Sequence, residues 1–585
     1  QNRVSQEVRV RFSLRPPKLM ELNKYNNLLE LFNFQFNQQN SKNIFLKSLK
    51  NPDNIFTWQK TFDCIQKLSD ELEKSLKKND RCLLISENRP EWLISDLAIM
   101  ASNGITVPAY TTYTERDYEY LINDCNPSAI IVSDQSQYDK IDLLIKKNNS
   151  IKIVITFEDI KSDYENIINI NKIFEKKVYT KKNLINLGLE RKDLACIIYT
   201  SGTQGNPKGV MLSHGGILNN CEGSYDLLKK IISSKPKFLT WLPLSHSYEH
   251  TVQFVQIAVG AKIFYAESIE KLIKNMGECN PDIMTAVPRF YQNLYQKIKS
   301  NFSKVEGIKK FLINKTLDLG KKKLLKKKIS FLDGILQKIC DITVRKKIKV
   351  QFGGSLKAFI SGGGALDKEV GYFLNAIGLP TLQGYGLTET SPVVSCNPIS
   401  DIRIETVGPP FFGNKVKIAD DGEILIKGEN VMLGYWNNQK ETNDVLKDGW
   451  LSTGDIGQFE DGYLKITDRK KDILITPGGD NISPVKIEND LTKIDFIDQA
   501  LVYGDNKPYL IALLILSKDK KTLKNEIIFK EIEKINKNLS KIEKIKKFFV
   551  IKEQFTIENG MMTPTLKLKR YKIIKKYKNE FEKYY

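Results

Sequence analysis

The stretch that combines most features of a phosphate-binding loop reads YTSGTQGNPKG and runs from Tyr199 to Gly209. Its glycines permit positive φ angles and close backbone approach, so consecutive N–H groups can point into one concavity. A flexible surface turn can have the same composition, and the chain lacks the GxxxxGK[ST] sequence of a Walker-type loop. The candidate phosphate ligands are Thr200, Ser201, Gly202, Thr203, Gly205 and Lys208.

A second group of candidate residues lies in the segment LQGYGLTET. Tyr385, which stands between Gly384 and Gly386, can lay its ring on a nucleotide base. Thr388 can donate a hydrogen bond to a phosphate oxygen. Glu389 offers the hard oxygen ligand that Mg²⁺ takes from one or two carboxylates beside substrate phosphates. The segment therefore predicts contacts to a nucleotide and to its metal ion.

Three further motifs follow towards the C-terminus. In STGD, Asp455 follows a glycine turn and is suited to accept hydrogen bonds from two ribose hydroxyls. The basic motif DRKKD contains Arg469 and Lys471, and MMTPTLKLKR contains Lys567. All five motifs contain residue types that bind or polarise phosphate esters.

The composition is that of a globular protein with large cores, since 41% of the 585 residues are hydrophobic and 27% are charged. The length predicts about three or four structural units. The net charge of +21 fits either solvated surface lysines or an anionic partner, such as a nucleotide, a coenzyme or a phospholipid surface.

The cysteines and the apolar runs restrict the cellular setting. The eight cysteines are widely spread without CxxC spacing, so neither a zinc site nor a disulfide framework is predicted, and a reducing, cytoplasmic setting fits. The polar, basic N-terminal stretch does not have the pattern of a signal peptide. The longest apolar run, YLIALLIL, has the length of a strand, so we expect any membrane contact to be peripheral.

Helical and short apolar segments alternate from early in the chain. FTWQKTFDCIQKLSDELEKSLKK predicts a helix capped by Thr57, and RPEWLISDLAIMASNG predicts another that ends at Gly104. DRCLLIS and ITVPAY predict buried strands after them. This alternation predicts an α/β fold with layered subdomains and largely parallel strands, with ligands near strand C-termini.

The pattern changes from about Gly408, where short strands separated by Gly and Asp predict a small β-rich subdomain over about 408–470. We place a domain boundary in DRKKD, which divides the chain into an N-terminal domain, 1–470, and a small α+β C-terminal domain, 471–585.

The segment 301–350 is basic and helical and contains KKKLLKKK. Leu324, Leu325, Ile329 and Leu332 are expected to line one face. Two interpretations stay open: a solvated helix that covers the domain, or a patch for anionic lipid headgroups.

Together and in this order, the five motifs resemble those of the ANL superfamily of adenylate-forming enzymes, specifically its long-chain fatty acyl-CoA synthetase branch. The resemblance extends from about Phe56 to Arg570, and YTSGTQGNPKGVMLSH is similar almost letter for letter to the AMP-binding signature of the superfamily. It implies that a fatty acid carboxylate attacks the α-phosphorus of ATP to give an acyl-adenylate and pyrophosphate. The thiol of CoA then displaces AMP.

The resemblance also implies roles for individual residues. The loop of Thr200 to Lys208 would bind the β- and γ-phosphates, Thr388 the α-phosphate, and Glu389 the Mg²⁺ ion. Asp455 and Arg469 would hold the ribose. The adenine would be enclosed by Tyr385 and the SGGGALD loop, in which the implied residues are Gly363, Gly364 and Ala365.

Lys567 aligns with the lysine that bridges the acyl carboxylate and the α-phosphate during adenylation, with Lys569 as the alternative if the alignment shifts by two residues. His246 matches the position beside the carboxylate and the α-phosphate. His250 falls where some long-chain members carry an aromatic gate to the acyl tunnel, which leaves the gating residue open. His214 is interpreted as structural.

The resemblance implies a mobile C-terminal domain that rotates between the half-reactions about a hinge at Lys471. The loop TPGGDNISP, with Gly478 and Gly479, would then help to build the channel for the pantetheine arm of CoA.

Several alternatives share these motifs. The nearest is an acyl–acyl carrier protein synthetase, and other adenylate formers differ only in the acid pocket. An inactive lipid-binding relative is disfavoured because the key motif residues are present. The expected partners are a fatty acid, ATP, CoA and a membrane surface contacted peripherally, but not nucleic acid. Acyl chain length and oligomeric state, a homodimer included, stay open.

Overall fold

The computed structural model describes residues 22–177, 187–200, 207–470, 472–478, 480–517, 520, 523–563 and 566–585. Two eight-stranded sheets form its centre. In the first sheet the strand order is β15-β14-β13-β12-β10-β11-β1-β2, and all pairs except those of β2 and β15 are parallel. Its strands are β1 (Ile44–Ser48), β2 (Ile55–Thr57), β10 (Lys237–Thr240), β11 (Lys262–Tyr265), β12 (Ile283–Ala286), β13 (Ala358–Ser361), β14 (Thr381–Gly386) and β15 (Val393–Cys396).

The second sheet has the order β18-β9-β8-β4-β3-β5-β6-β7, and its antiparallel pairs are those of β9 with β8 and with β18. Its strands are β3 (Arg81–Ile85), β4 (Ile105–Ala109), β5 (Ala129–Val132), β6 (Ile153–Thr156), β7 (Ile167–Asn169), β8 (Leu194–Thr200), β9 (Lys208–Ser213) and β18 (Gly434–Tyr435). The predicted α/β fold with largely parallel strands is confirmed.

Helices cover both sheets, and α2, α3, α8 and α9 contribute side chains to the large core between them. The hydroxyl oxygen of Thr57 accepts a hydrogen bond from the amide of Lys60 and caps α2, as predicted. The helices up to residue 445 are α1 (Leu28–Gln38), α2 (Trp58–Leu72), α3 (Pro90–Ala101), α4 (Glu115–Cys125), α5 (Gln135–Asp139), α6 (Asp142–Lys147), α7 (Ile170–Phe174), α8 (His214–Leu228), α9 (Ser247–Ala258), α10 (Leu272–Cys279), α11 (Pro288–Ser303), α12 (Gly307–Leu324), α13 (Phe331–Cys340), α14 (Lys346–Gln351), α15 (Lys368–Ala376) and α16 (Gln439–Val445).

An antiparallel sheet follows in the predicted β-rich region, with the order β16-β17-β20-β19 and with β21 paired to β20. Its strands are β16 (Lys415–Ile418), β17 (Glu423–Lys427), β19 (Leu446–Lys447), β20 (Trp450–Glu460) and β21 (Tyr463–Arg469). The C-terminal region is a separate α+β unit with two apolar clusters of its own. Its elements are β22 (Leu474–Ile475), β23 (Asn481–Ile482), α17 (Pro484–Leu491), β24 (Ile497–Tyr503), β25 (Leu510–Leu516), α18 (Asn525–Asn536), β26 (Ile545–Ile551), α19 (Arg570–Lys576) and α20 (Lys578–Glu582).

One local prediction is wrong. Leu324, Leu325, Ile329 and Leu332 do not share one helix face, because α12 ends at Leu324 and α13 begins at Phe331. The lysine-rich run supplies the turn between the two helices, where Lys326 takes a positive φ of 53°.

All eight cysteines are buried and carry free thiols. None of the helices in the described ranges has the length and the hydropathy needed to cross a bilayer.

Candidate active site

A cleft in the described chain has a volume of about 3730 Å³. Small-molecule pockets usually occupy about 300–1,000 Å³, so this cleft has room for more than one substrate. Strand ends of both central sheets, the antiparallel sheet and the C-terminal region all contribute to its walls.

The predicted phosphate loop connects β8 and β9, which form an antiparallel hairpin in which Thr200 lies directly opposite Lys208. Both residues line the cleft. The Lys208 ammonium pairs with the Glu441 carboxylate and lies 5.0 Å from the centre of the Tyr435 ring. The structure therefore brings the two ends of the loop to the cleft. The intervening candidates Ser201, Gly202, Thr203 and Gly205 lie outside the described residues.

The second motif begins in β14 and continues into a short 3₁₀ turn, Thr388–Thr390. A Cβ atom on Gly386 would lie 1.7 Å from the carbonyl oxygen of Pro392, so only glycine fits there. The hydroxyl oxygens of Thr388 and Ser247 are 3.1 Å apart. This contact ties the predicted α-phosphate ligand to the first residue of α9.

Glu389 lines the cleft beside Thr388 and accepts a 2.9 Å hydrogen bond from the Tyr435 hydroxyl at Oε1. The same tyrosine ring lies next to Lys208. Tyr435 thus connects the predicted metal ligand to the cation of the phosphate loop.

The predicted ribose site is formed by residues of two paired strands. Asp455 on β20 lies opposite Arg469 on β21, with 3.2 Å between Oδ1 and the guanidinium Nε. Its other oxygen accepts a 2.8 Å hydrogen bond from the Tyr385 hydroxyl. Burial raises the pKa of the Asp455 carboxyl, and the positive charge of Arg469 opposes this shift. Asp455, Arg469 and Tyr385 therefore form one connected group.

The glycine-rich loop after β13 contributes Gly363, Gly364 and Ala365 to the cleft wall. A Cβ atom on the preceding Gly362 would lie 2.8 Å from the Tyr248 ring, so that position requires glycine. A Cβ atom on Gly364 would lie 4.0 Å from Cε of Lys567. The predicted adenine loop and the predicted catalytic lysine are thus neighbours.

Lys567 comes from the C-terminal region and is exposed to the cleft. Crowding by protein atoms and the like charge of Arg469 lower the pKa of its ammonium group to about 8, against the attraction of Asp455. Lys569 also lines the cleft, but its charged neighbours are Lys572 and Asp117. The surroundings therefore favour Lys567 over Lys569 as the residue that faces the nucleotide.

His246 caps α9, and its Nδ1 accepts a 3.1 Å hydrogen bond from the amide of Tyr248. Burial and the positive charge of Lys567 lower the pKa of its imidazole to about 3, so the ring is neutral at physiological pH. Because Nδ1 is an acceptor, the ring proton resides on Nε2. His246 can therefore donate one hydrogen bond.

The other two histidines lie outside the cleft lining. His250 is fully buried, with Nε2 2.8 Å from Oδ2 of Asp96 and Nδ1 3.7 Å from the Cys196 sulfur. The structure places it in a core ion pair between α9 and α3 instead of at a gate. His214 is buried next to the backbone amide of Leu28, as expected for a structural residue.

Two of the remaining candidates fall outside the described residues, namely the predicted hinge Lys471 and the predicted CoA-channel residue Gly479. Gly478 is exposed and does not line the cleft. The structure does not bring this part of the predicted CoA channel to the nucleotide residues.

One part of the cleft is apolar. The side chains involved come from α8, α9, the first central sheet and the segment before β16, and they are Leu227, Phe238, Val252, Val255, Ile283, Ile360, Val393 and Phe411. An apolar wall beside the polar groups suits an acid with a hydrocarbon tail.

Three residues that contact the candidate site residues were not predicted from the sequence: Ser247, Tyr435 and Glu441. Ser247 directly follows His246, so the neighbouring candidate residue was a usable signal. Tyr435 lies in the segment MLGYW, where the aromatic pair beside a glycine gave only a weak signal. Nothing in the sequence pattern distinguishes Glu441 from other helical glutamates.

Comparisons with known proteins show which family the chain belongs to. Residues 33–436 match the AMP-binding enzyme family, and residues 471–585 match the AMP-binding enzyme C-terminal domain. The chain belongs to the AMP-binding enzyme family. The predicted membership of the ANL superfamily is confirmed, and the relatives described next confirm its long-chain fatty acyl-CoA synthetase branch.

Curated relatives cover most of the chain. The long-chain-fatty-acid–CoA ligase 5 of Rattus norvegicus is 31% identical over 86% of this chain and 79% of its own length. The long-chain-fatty-acid–CoA ligase FadD15 of Mycobacterium bovis is 29% identical over 87% and 88%. The long-chain-fatty-acid–[acyl-carrier-protein] ligase AEE15 of Arabidopsis thaliana is 28% identical over 87% and 80%.

Solved structures share the fold. An anthranilate CoA ligase in complex with anthranoyl-AMP superposes with a TM-score of 0.76 at 19% identity and covers 96% of this chain and 100% of its own. ATP-bound MatB from Rhodopseudomonas palustris gives 0.73 at 20% identity and covers 95% and 100%. The arrangement of a large N-terminal and a small C-terminal region is therefore that of adenylate-forming enzymes.

Proposed function

We propose that this enzyme activates a long-chain fatty acid with ATP, forms an acyl-adenylate and pyrophosphate, and then transfers the acyl group to CoA with release of AMP. The observation that carries the proposal is the meeting of Lys567 with Asp455 and Arg469 in one cleft. These residues belong to different parts of the chain, yet they face the same space as Thr388 and His246.

The main barrier to adenylation is the approach of a carboxylate to a polyanion, so alignment and charge neutralisation dominate catalysis. Lys567 bridges the fatty acid carboxylate and the α-phosphate, and the Nε2–H of neutral His246 donates to the same region. Thr388 binds the α-phosphate. Lys208 and the neighbouring loop hold the pyrophosphate that leaves.

The remaining nucleotide contacts follow from the same cleft. Asp455 and Arg469 hold the ribose hydroxyls, and Tyr385 keeps Asp455 in place through its hydroxyl. Gly363, Gly364 and Ala365 allow the adenine ring to approach the backbone closely.

The residues present fit a Mg²⁺ ion. Within the described ranges no cluster of three metal-ligating side chains occurs, but Glu389 presents a carboxylate at the cleft, held by Tyr435. Mg²⁺ is usually bound by one or two carboxylates together with substrate phosphates and needs no protein cage. Glu389 would hold the ion, which supplies neutralisation of phosphate charge when bound.

Formation of the thioester requires a second arrangement of the C-terminal domain, 471–585, relative to the N-terminal domain, 1–470. We propose that Lys471 is the hinge of this rotation. Gly478 and Gly479 would then reach the channel for the pantetheine arm. Exposure of Gly478 away from the cleft fits an arrangement made for adenylation.

The similarity to an acyl carrier protein ligase favours one alternative, in which a carrier protein replaces CoA as the thiol. Turnover with CoA compared with turnover with a holo-acyl carrier protein distinguishes the two. We expect CoA to be the better acceptor.

The test of the proposed function is a pyrophosphate-release assay over fatty acids of increasing length, with CoA present. Burial of each CH₂ group contributes about 0.8 kcal/mol, so kcat/KM should rise with length, and no activity beyond about eight carbons would overturn the long-chain assignment. Long-chain fatty acids partition into bilayers, so this substrate also favours a peripheral position at a membrane surface.

A further inference from the structure

The segment 301–350 carries an unusual share of the positive charge of the protein. It contains fifteen basic and four acidic side chains, a net charge of +11 out of +21 for the whole chain. Several of its lysines are exposed and have no acidic side chain within ion-pair distance among the described residues, namely Lys309, Lys310, Lys323, Lys327, Lys328, Lys338, Lys346 and Lys347. This charge is available to an anionic partner.

The same segment carries an unusual share of the exposed apolar surface. Of the 22 large hydrophobic side chains exposed in the described chain, ten lie between residues 308 and 350. Phe331 is 85% exposed and Leu332 is 71% exposed. Contiguous apolar patches of this kind mark sites of interaction with proteins or membranes.

The exposed groups are ordered along one helix face. Leu332, Ile335, Ile339 and Ile342 follow one another at intervals of three or four residues and form a stripe that begins at Phe331. The stripe extends along α13 into a π-helical turn, Asp341–Arg345, which leads into α14. We call this stripe and the lysines around it the basic apolar face.

The basic apolar face lies on the outermost layer of the domain. Helix α12 packs on α15 so closely that a Cβ atom on Gly320 would lie 2.5 Å from Ala376. Helix α13 packs against α12 and is held there by ion pairs of Asp333 with Lys315 and Lys322. On α13 the stripe residues Leu332, Ile335 and Ile339 are therefore left exposed, at 71%, 46% and 41%.

We propose that the basic apolar face docks on the surface of an anionic phospholipid bilayer, with Phe331 and Leu332 inserted between the headgroups. A helix with an apolar stripe and flanking lysines is suited to lie in the plane of the membrane interface. Clustered lysines add attraction to anionic headgroups, which falls within a Debye length of the surface. This inference adds a docking surface to the proposed function and does not depend on the reaction.

Other occupants fit less well. A second copy of the chain would bring a like charge of +11 against this face, which repels it. Nucleic acid would use the lysines but would leave the Ile, Leu and Phe stripe exposed to water. An anionic bilayer both neutralises the charge of the lysines and removes the apolar stripe from water.

The experiment measures co-flotation of the full-length protein with vesicles in the absence of ATP and CoA. The vesicles contain phosphatidylcholine alone or phosphatidylcholine with phosphatidylglycerol. We expect binding only to the anionic vesicles and weaker binding at high salt. The variant Phe331→Ser/Leu332→Ser should lower the partition coefficient on the order of 100-fold. The variant Lys327→Glu/Lys328→Glu should lower it about tenfold or more.

Matched controls come from the exposed surface of the C-terminal region. Ile527→Ser/Phe529→Ser removes two exposed apolar side chains, and Lys546→Glu/Lys547→Glu makes an equal change of charge. Both controls should bind vesicles as the wild-type protein does. Thermal unfolding of every variant checks that the fold is intact.

Three results would overturn the inference. The first is a wild-type protein that does not float with anionic vesicles, and the second is equal loss in the face variants and their controls. The third is a basic apolar face that does not bind vesicles but instead binds RNA or, in sedimentation experiments, causes the protein to self-associate. Since pyrophosphate release is assayed separately with detergent-dispersed acid, failure of docking and failure of the proposed reaction are distinguishable.

Discussion

Replacing Tyr435 by phenylalanine removes one hydroxyl group and leaves the aromatic ring in place. The hydroxyl donates a 2.9 Å hydrogen bond to Oε1 of Glu389, while the ring contacts the Lys208 ammonium from 5.0 Å. The substitution therefore releases the proposed metal ligand and keeps the contact to the phosphate-loop lysine. It tests whether Tyr435 orients Glu389.

The size of the effect follows from this single hydrogen bond. A hydrogen bond to a charged group contributes about 1.5–3 kcal/mol, which corresponds to roughly 10- to 100-fold in an equilibrium constant. Loss of an outer-shell partner of a metal ligand commonly costs about 10- to 100-fold in metal affinity or activity. We expect the half-saturating Mg²⁺ concentration for pyrophosphate release to rise by about this factor.

The assay is pyrophosphate release at saturating ATP and fatty acid over a range of Mg²⁺ concentrations. The matched control is Tyr463→Phe, because Tyr463 also donates to a carboxylate, that of Asp401, and also lies against a cation, Arg403 at 3.8 Å. Tyr463 does not line the cleft, so its variant should keep the wild-type Mg²⁺ dependence. An unchanged Mg²⁺ dependence in Tyr435→Phe would refute the reasoning.

Three other predictions concern separate parts of the molecule. Lys567→Ala should lower acyl-adenylate formation by about 10²–10³-fold and spare thioester formation from supplied acyl-adenylate. The control Lys569→Ala should keep both half-reactions, which are assayed separately. Intact adenylation in Lys567→Ala would contradict the proposed catalytic role of Lys567. Asp96→Asn removes the negative charge beside the buried His250 and should cost about 3–5 kcal/mol in stability. Burial alone would lower the pKa of His250, but the Asp96 carboxylate outweighs burial and raises this pKa to about 10. The ion pair therefore stabilises the fold fully below pH 6.5, and this contribution is lost as the pH rises towards 10. The unfolding temperatures of the wild-type protein and of Asp96→Asn should converge between pH 6.5 and 10, and a constant difference would contradict the ion pair. Lys471→Pro should spare adenylation and impair thioester formation, and equal loss of both half-reactions would exclude a hinge there.

Much of the fold and the ligand-binding motifs could be predicted because they are local patterns. Strand–turn–helix alternation needs only neighbouring residues, and it predicted the layered α/β fold with largely parallel strands. Asp455 and Arg469 are 14 positions apart, but the antiparallel hairpin of β20 and β21 places them opposite each other, so one short segment contains both. The family resemblance supplied the roles that spacing alone could not.

Other features depended on contacts between distant segments. Tyr435 meets Glu389 because β18 pairs with β9 and because the amide of Met432 donates to the Glu389 carbonyl, and neither contact is visible in the sequence around these residues. The orientation of His250 was hidden because all residues of α9 are buried, so no polar face shows which side of the helix meets the cleft. A helical hydrophobic stripe also looks the same whether it is covered or exposed, and for that reason the sequence did not reveal that Phe331 is exposed.

The lowered pKa of Lys567 links nucleotide binding to proton uptake. In the protein alone the pKa of this ammonium group is lowered to about 8, because protein atoms crowd it and because the positive charge of Arg469 repels it. If the proposed function places polyphosphate next to Lys567, the phosphate charge must raise this pKa, and ATP binding near and above pH 8 should take up a proton from the buffer. We therefore expect the affinity for ATP to decline in the alkaline range by the same linkage.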